Sequence, residues 1–197
     1  MLRPLTGLAA ALLAGTLLHA GAVREVPSSA TGRVVALDLA GKTVDPFEAA
    51  GGKPVVFIFV RTDCPVSNRY APTIQALSTK YAGKALLILV YPDKAETPAA
   101  IEKHLHEYGY KNEALRDTQH SLVKLSQVEI TPESAVFNSK GELIYHGRID
   151  NWYKDFGHAR SVPTTHELDD AIAAALTEVR QAPASVGGVG CYIADLQ

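Results

Sequence analysis

Residues 55–60 form an unbroken run of β-branched and aromatic residues, Val-Val-Phe-Ile-Phe-Val. Such a run is typical of a strand that is buried on both faces of a sheet, since a strand with one face in water would show a polar residue at every second position. Gly51, Gly52 and Pro54 precede it and indicate a turn. The run therefore predicts the central strand of an α/β domain.

The next hundred residues alternate between helix and strand signals. A helix is predicted from Pro65 to about Tyr81, with a kink at Pro72, and a second buried strand over 85–91. Thr97 and Pro98 open another helix as cap and first-turn proline. Strands separated by helices in this way are expected to lie parallel.

Hairpins and a last helix complete the predicted order. A short N-terminal hairpin is expected around Gly41, with Phe47 continuing on its far side, and a second hairpin over 134–146 follows a short helix at 121–127. Thr164 and Glu167 have the spacing of a capping box for the last helix. Its apolar stripe comprises Leu168, Ile172, Leu176 and Val179. The fold class is α/β, with a mixed central sheet flanked by helices.

The composition excludes several classes of protein. The chain has 197 residues, is 47% hydrophobic, and carries 19 basic and 21 acidic residues for a net charge of −2. It lacks the basic excess with which nucleic-acid-binding proteins neutralise phosphates, so no nucleic acid partner is expected. Two cysteines are too few for a disulfide-stapled fold, and they lack the clustered spacing of a structural zinc site.

The N-terminus has the pattern of a signal peptide. Arg3 precedes a 14-residue uncharged stretch, 5–18, and a small-residue cleavage signal at 20–22. The stretch is shorter than a membrane span requires, although an uncleaved anchor is the alternative. We expect residues 1–22 to be a signal peptide, 31–182 a single domain and 183–197 a glycine-rich tail. The mature protein would be periplasmic or secreted, with no membrane span.

Cys64 is the most informative single residue. It follows the central strand, and Pro65 directly behind it suits the first position of a helix. Free amides at a helix N-terminus favour a thiolate, which lowers the thiol pKa and makes the sulfur nucleophilic. The alternative is a buried apolar cysteine.

Several features together resemble the thioredoxin-like redoxins, a superfamily that includes the alkyl hydroperoxide reductase/thiol-specific antioxidant proteins and exported disulfide oxidoreductases. They are the segment 59–67, the Thr131-Pro132 pair before a strand, and the turn at 141–144. The resemblance covers roughly residues 33–180. It implies a thioredoxin-like fold, with Pro132 in a cis peptide facing the Cys64 sulfur and shaping the substrate groove.

The departures from that resemblance bear on mechanism. Ser67 stands where thioredoxins have their second cysteine, so a local dithiol cycle is impossible, although its hydroxyl could donate to the Cys64 sulfur. Asp63 replaces the usual tryptophan, and its charge opposes thiolate formation unless Arg61 or Arg69 offsets it. The proline and the Thr or Ser that peroxiredoxins carry before their cysteine are also missing, which weakens a peroxidase assignment without excluding it.

Cys191 lies in a glycine-rich arm after the last helix, and flexibility of this arm would let its thiol swing toward Cys64. A resolving role follows: Cys64 attacks a disulfide or peroxide, and Cys191 captures the intermediate. The alternatives are a permanent Cys64–Cys191 bridge, a bond between chains, or an idle thiol. The partners would be protein thiols or disulfides, or peroxide, together with an external thiol reductant.

The segment 148–163 is long for a connection. The aromatic residues of this segment, among them Trp152, would either line a partner groove beside Pro132 or pack on the domain itself. Arg148 would either reach the active site or remain an exposed charge. Arg61, Asp63 and Pro65 are further candidates for the substrate groove.

No metal site is expected, because the seven histidines are scattered. No organic cofactor is expected either. The sequence thus predicts an exported thiol-disulfide oxidoreductase or thiol-dependent antioxidant. Two alternatives remain open: a carrier that holds copper by Cys64, Cys191 and one histidine, and a catalytically silent binding module.

Overall fold

The computed structural model describes residues 34–177, 181–194 and 196. The predicted signal peptide and Val179 lie outside these residues. The described strands are β1 (Ala36–Leu37), β2 (Thr43–Val44), β3 (Val55–Phe59), β4 (Leu86–Tyr91), β5 (Glu113–Arg116), β6 (Ile130–Thr131), β7 (Glu133–Phe137), β8 (Leu143–Gly147), β9 (Tyr153–Asp155), β10 (His158–Ala159) and β11 (Cys191–Tyr192). The described helices are α1 (Pro46–Ala50), α2 (Pro65–Arg69), α3 (Ala71–Lys80), α4 (Pro98–Glu107), α5 (Ser121–Ser126) and α6 (Glu167–Ala175).

The central sheet of the described chain has seven strands in the order β2-β1-β5-β4-β3-β7-β8. The pairs β3–β4 and β4–β5 are parallel, and β3–β7 and β7–β8 are antiparallel. Every residue of β3 is buried, as expected for a strand covered on both faces. The predicted mixed α/β fold with an N-terminal hairpin is confirmed.

The two faces of β3 feed two separate cores. Val56 and Ile58 belong to the cluster that includes side chains of α3, α4 and α6, whereas Phe57 and Phe59 belong to the cluster that includes side chains of α1 and α5. The alternation follows from the pleat, because successive side chains point to opposite faces. Both faces are therefore covered by helices, and Cys64 lies in the first cluster.

The helix predicted over 65–81 is two helices that meet at Tyr70. Pro72 has no amide to donate to the carbonyl four residues earlier, so one continuous helix would lose a bond there. The chain ends α2 at Tyr70 and begins α3 with Pro72 in its first turn, where a proline costs little. The expected kink is thus a break, which gives the cysteine a helix of only five residues.

Three other details differ from the expectations. Phe47 lies in α1, which begins because the Asp45 carboxylate accepts hydrogen bonds from the amides of Phe47 and Glu48 at 3.0 and 3.2 Å. Strand β5 occupies a segment for which no strand was predicted. The predicted capping box is wrong: α6 begins after His166, and Glu167 bonds to Arg148 instead. No described helix has the length and apolar character needed to cross a membrane.

Candidate active site

Cys64 is the residue that caps the N-terminus of α2, just beyond the end of β3. Its side chain is fully buried, and Pro65 occupies the first helical position as predicted. In the antiparallel β3–β7 ladder, Phe59 lies opposite Glu133. The chain that leaves β3 therefore runs beside the chain that enters β7, and this brings Cys64 next to Thr131 and Pro132.

The Thr131–Pro132 peptide bond is cis, as the resemblance implied. The Cys64 thiol donates a hydrogen bond to the Thr131 carbonyl oxygen at 3.2 Å. Thr131 is fully buried, and its hydroxyl donates to the Cys191 carbonyl oxygen at 3.3 Å. Thr131 thus contacts both cysteines.

Cys191 is held in a strand and not on a free arm. Strand β11 pairs antiparallel with β6, with Cys191 opposite Thr131 and Tyr192 opposite Ile130. The amide of Ile193 extends the pairing by donating to the Glu129 carbonyl at 2.9 Å. The expectation of a thiol that swings in from a distance is therefore corrected: within the described chain Cys191 is already seated beside Cys64, because main-chain hydrogen bonds fix the segment around it.

The environment of Cys64 favours its thiolate. Burial by itself raises the pKa of the Cys64 thiol, but the polar groups of Cys191, Ser67 and Thr131 beside the sulfur outweigh burial and bring the pKa below its ordinary value. The bond to the Thr131 carbonyl acts the other way, since only a protonated thiol can donate it. Because donors to the sulfur are more numerous, the net pKa is lowered.

Cys191 is tuned in the opposite direction. Burial, followed by the hydrogen bond to Cys64 and the nearby charge of Cys64, raises the pKa of Cys191 to about 12. Both sulfurs are free thiols. The pair therefore consists of one sulfur that ionises readily and one that keeps its proton and donates it.

Ser67 occupies the position of the missing second cysteine, and it lies on α2 directly behind Cys64. Its hydroxyl is fully buried and makes no hydrogen bond of normal geometry with any described residue, yet it acts on the sulfur and lowers the Cys64 pKa. Donation from this hydroxyl to the sulfur stays a prediction, with a plain first-turn polar residue as its alternative. A polar group with this burial is expensive unless an anion nearby uses it.

A series of hydrogen bonds that links Asn68, His104 and Tyr91 was not predicted. Asn68 donates to the Thr62 carbonyl at 3.0 Å, so its oxygen faces the His104 Nε2 at 2.8 Å. His104 therefore carries its proton on Nε2 and accepts from the Tyr91 hydroxyl at Nδ1, 2.9 Å away. This series fixes α2 and the loop before Cys64. The three residues lie on separate elements with no sequence pattern in common.

The charged residues beside Cys64 form ion pairs with one another. Arg61 forms ion pairs with Asp63 and with Asp93, each at 3.1 Å. Arg61 thus offsets the charge of Asp63, which would otherwise oppose ionisation of Cys64. Arg61 also acts to lower the pKa of Cys191. Glu96 accepts the Thr62 amide at 2.6 Å, and burial raises the pKa of that carboxyl.

The candidates from the segment 148–163 are held by partners other than the two cysteines. Arg148 is paired with Glu167, which explains why the capping box does not form. Trp152 packs edge-on against Tyr70 at 5.4 Å, and its indole donates to the Arg160 carbonyl at 2.7 Å. Trp152 and Tyr153 therefore pack on their own domain, whereas Phe156 is exposed. Arg148 also borders a small cavity of about 100 Å³ beside Pro132.

Glu133 is a functional candidate that sequence reasoning missed. It follows Pro132, is 5% exposed, and its carboxylate accepts the Gly188 amide at 2.7 Å and the Glu129 amide at 3.1 Å. It thus ties the segment before Cys191 to the segment before Pro132. A charged residue at the start of a buried strand was the available signal.

Across residues 34–177, 181–194 and 196, no group of three or more His, Cys, Asp or Glu side chains is placed to hold a metal ion. The structure thus brings Cys64 and Cys191 together without joining a histidine to them in the part that it describes.

Comparisons with known proteins agree with this geometry. The chain is similar in structure to a hypothetical protein from Sinorhizobium meliloti, with a TM-score of 0.70, 23% identity, and 81% of this chain and 88% of that one covered. It is also similar to an exposed lipoprotein thioredoxin of Streptococcus pneumoniae (TM-score 0.52, 19% identity, 74% and 98% covered). A third similar structure is a secreted disulfide oxidoreductase of Mycobacterium tuberculosis (0.50, 16%, 75% and 96%).

At these identities the structural matches show the thioredoxin-like fold. No curated protein sequence matches the chain. The family model of the redoxins matches residues 24–157, which include β3, Cys64 and the cis proline. On this match the chain belongs to the redoxin family.

Proposed function

We propose that this redoxin is an exported thiol-disulfide oxidoreductase in which Cys64 attacks and Cys191 resolves. The observation that supports the proposal best is the position of Cys191, whose strand pairs with Thr131, the residue whose carbonyl oxygen accepts a hydrogen bond from the Cys64 thiol. Each thiol shifts the pKa of the other, which also indicates that the two side chains lie close together. Pro132 and Thr131 form the wall of the site.

The reaction consists of two exchanges. The Cys64 thiolate attacks one sulfur of a substrate disulfide, and the other substrate sulfur leaves as a thiolate and takes up a proton. Cys191 then loses its proton, attacks the Cys64 sulfur and expels the second substrate thiol. Two electrons pass to the substrate, and the protein is left with a Cys64–Cys191 disulfide. An external thiol reductant restores both thiols by the same exchange.

The two pKa values give this sequence its order. Cys64 has the lowered pKa and attacks first. Once Cys64 is in a mixed disulfide its negative charge is gone, and with it one cause of the raised pKa of Cys191. Cys191 thus becomes easier to ionise when its attack is needed.

Peroxide is the second candidate oxidant, and it would make the protein a thiol-dependent antioxidant. The Cys64 thiolate would take one oxygen atom and become a sulfenic acid while water or an alcohol leaves, and Cys191 would condense with it and release water. The site has Phe57 and Arg61 where peroxiredoxins have their proline and hydroxyl residue. We therefore favour a protein disulfide as substrate.

The proposal extends to location and to the limits of the domain. The N-terminal pattern is that of a signal peptide, and two similar structures are described as secreted or exposed proteins. We propose that residues 1–22 are removed on export, that 31–182 form the redoxin domain, and that 183–197 supply the resolving thiol.

Trapping the mixed disulfide tests the mechanism. A Cys191→Ser variant mixed with a disulfide-bonded protein is expected to accumulate a covalent adduct at Cys64, whereas the wild type passes on to the Cys64–Cys191 bond. Cys64→Ser is expected to form no adduct, and Tyr192→Phe, on the same strand with an exposed side chain, should match the wild type. An adduct at Cys191 in place of Cys64 would refute the assignment. Sulfenic acid after peroxide, without adduct formation, would favour the antioxidant function.

A further inference from the structure

Residues 185–193, which we call the strap, cross the mouth of the active site as an extended segment. At one end the Arg148 amide donates to the Val186 carbonyl at 2.8 Å. In the middle the Gly188 amide donates to Glu133, and at the far end Ile193 continues the pairing with β6. The strap is thus held mainly by main-chain groups, as a peptide is when it adds to the edge of a sheet.

The strap covers the nucleophile. Val189 and Cys191 pack against the core cluster that contains Cys64, and the Cys64 side chain has no exposed surface. A protein disulfide that reacts with Cys64 must bring one of its sulfurs into contact with this side chain. With the strap seated there is no surface at which that contact can occur.

The glycines of the strap are matched to the groove. A Cβ atom at position 190 would lie 1.9 Å from the Thr131 carbonyl oxygen, and one at position 188 would lie 2.9 Å from the Glu133 side chain. At position 187 a Cβ would make only an ordinary contact of 3.9 Å. Close approach, and not flexibility alone, therefore requires glycine at two of the three positions.

We propose that the strap is an internal competitor for the groove in which an extended polypeptide substrate binds. The strap and the substrate exclude each other, so the reduced protein is closed to polypeptides until the strap leaves. A segment that takes the register of the strap needs glycine directly before its cysteine, because Thr131 leaves no room for a side chain there. The substrate half of this proposal rests on the proposed function, whereas opening of the strap does not.

Hydrogen exchange of the wild-type protein tests strap opening without any substitution. The amides of Gly188 and Ile193 are expected to exchange at least tenfold faster than those of β3, because the strap opens while the sheet stays folded. Exchange of both sets at one common rate would mean that the strap opens only with global unfolding, and this would overturn the proposal.

A matched pair of variants tests the steric fit. Gly190→Ala should unseat the strap and raise the rate at which a bulky maleimide labels Cys64 at least tenfold, with peptide mapping to separate the two cysteines. Gly187→Ala should stay within twofold of the wild type. Unchanged labelling of Cys64 in Gly190→Ala would overturn the proposal. Protection of Cys64 that increases with protein concentration, as in a dimer, would also overturn it, because a second copy would then supply the strap.

Competition by a peptide tests the groove itself. The octapeptide Val-Gly-Gly-Val-Gly-Ser-Tyr-Ile copies residues 186–193 with serine for cysteine, and it should slow maleimide labelling of the Gly190→Ala protein. The same peptide with alanine at the fifth position should have no effect, and equal protection by both would refute the glycine requirement. If Gly190→Ala opens the strap but the double variant Gly190→Ala, Cys191→Ser forms no adduct with a protein disulfide, the proposed function fails while strap opening stands.

Discussion

Replacing Cys191 by two different residues separates its two roles toward Cys64. Serine keeps a hydroxyl donor at the position but cannot form a disulfide, and alanine removes the donor as well. Burial tends to raise the pKa of Cys64, and the donors that lower it include the Cys191 thiol. Loss of this donor is therefore expected to raise the pKa of Cys64 in Cys191→Ala relative to Cys191→Ser.

The size of the effect follows from the strength of the bond. A hydrogen bond to a charged group contributes about 1.5–3 kcal/mol. A thiol is a weak donor, so we take the lower end, about 1.5 kcal/mol. A difference of about 1.4 kcal/mol is a factor of ten in an equilibrium. At a pH below the Cys64 pKa of both proteins, the thiolate fraction of Cys64 should be about tenfold lower in Cys191→Ala than in the wild type.

The assay is the pH profile of Cys64 alkylation by iodoacetamide. The plateau at high pH reports access to the sulfur, and the midpoint reports ionisation, so a change in access cannot be mistaken for a change in pKa. The midpoint should lie higher for Cys191→Ala than for Cys191→Ser, and Tyr192→Phe serves as the control on the same strand. Equal midpoints for the alanine and serine variants would refute the claim that a donor at position 191 stabilises the thiolate.

Three further predictions concern the framework of the site. Burial lowers the pKa of His104, so as the pH falls the unfolded chain takes up a proton at a higher pH than the folded chain does. The free energy of unfolding, measured in urea, should therefore decrease as the pH drops below 6.5. The decrease should be smaller in His104→Phe. Glu133→Ala leaves two partly buried amides without their acceptor and should cost about 1–2 kcal/mol in urea unfolding while strap amides lose hydrogen-exchange protection. Phe57→Ala should cost about 3–5 kcal/mol in the same measurement, because a fully buried ring is removed from the core; a cost under about 1 kcal/mol would contradict this packing.

The sequence carried the parts of the fold that depend on local pattern. The run at 55–60, the proline after Cys64 and the threonine-proline pair at 97–98 each correspond to an observed strand or helix start. Helix α1 could also have been predicted from the sequence, because Asp45 and Pro46 are an N-cap residue followed by a first-turn proline. Strand β5 was not, since Glu-Ala-Leu-Arg has little strand character and forms a strand only because β1 and β4 lie on either side of it.

The candidate site was predictable in its residues more than in its geometry. Cys64, Thr131, Pro132 and Cys191 could be named, and the resemblance implied the cis peptide. The position of Cys191 could not be derived, because two-residue strands that pair across some sixty positions leave no periodic signal. The hydrogen bonds of His104 with Asn68 and Tyr91 could not be derived either, because the three residues lie on separate elements and share no periodic pattern.

The glycines before Cys191 show how one composition supports two opposite interpretations. Glycine frees the backbone of an unfolded segment, and on that ground the tail was expected to swing. The missing side chain equally lets two backbones approach, and the space at position 190 admits nothing larger. The same residues allow close seating and make ordering of the strap entropically costly, and this cost weakens its binding. A strap that fits closely but is weakly held is what a site needs if its resolving thiol must stay near Cys64 and its nucleophile must still be reached by a protein substrate.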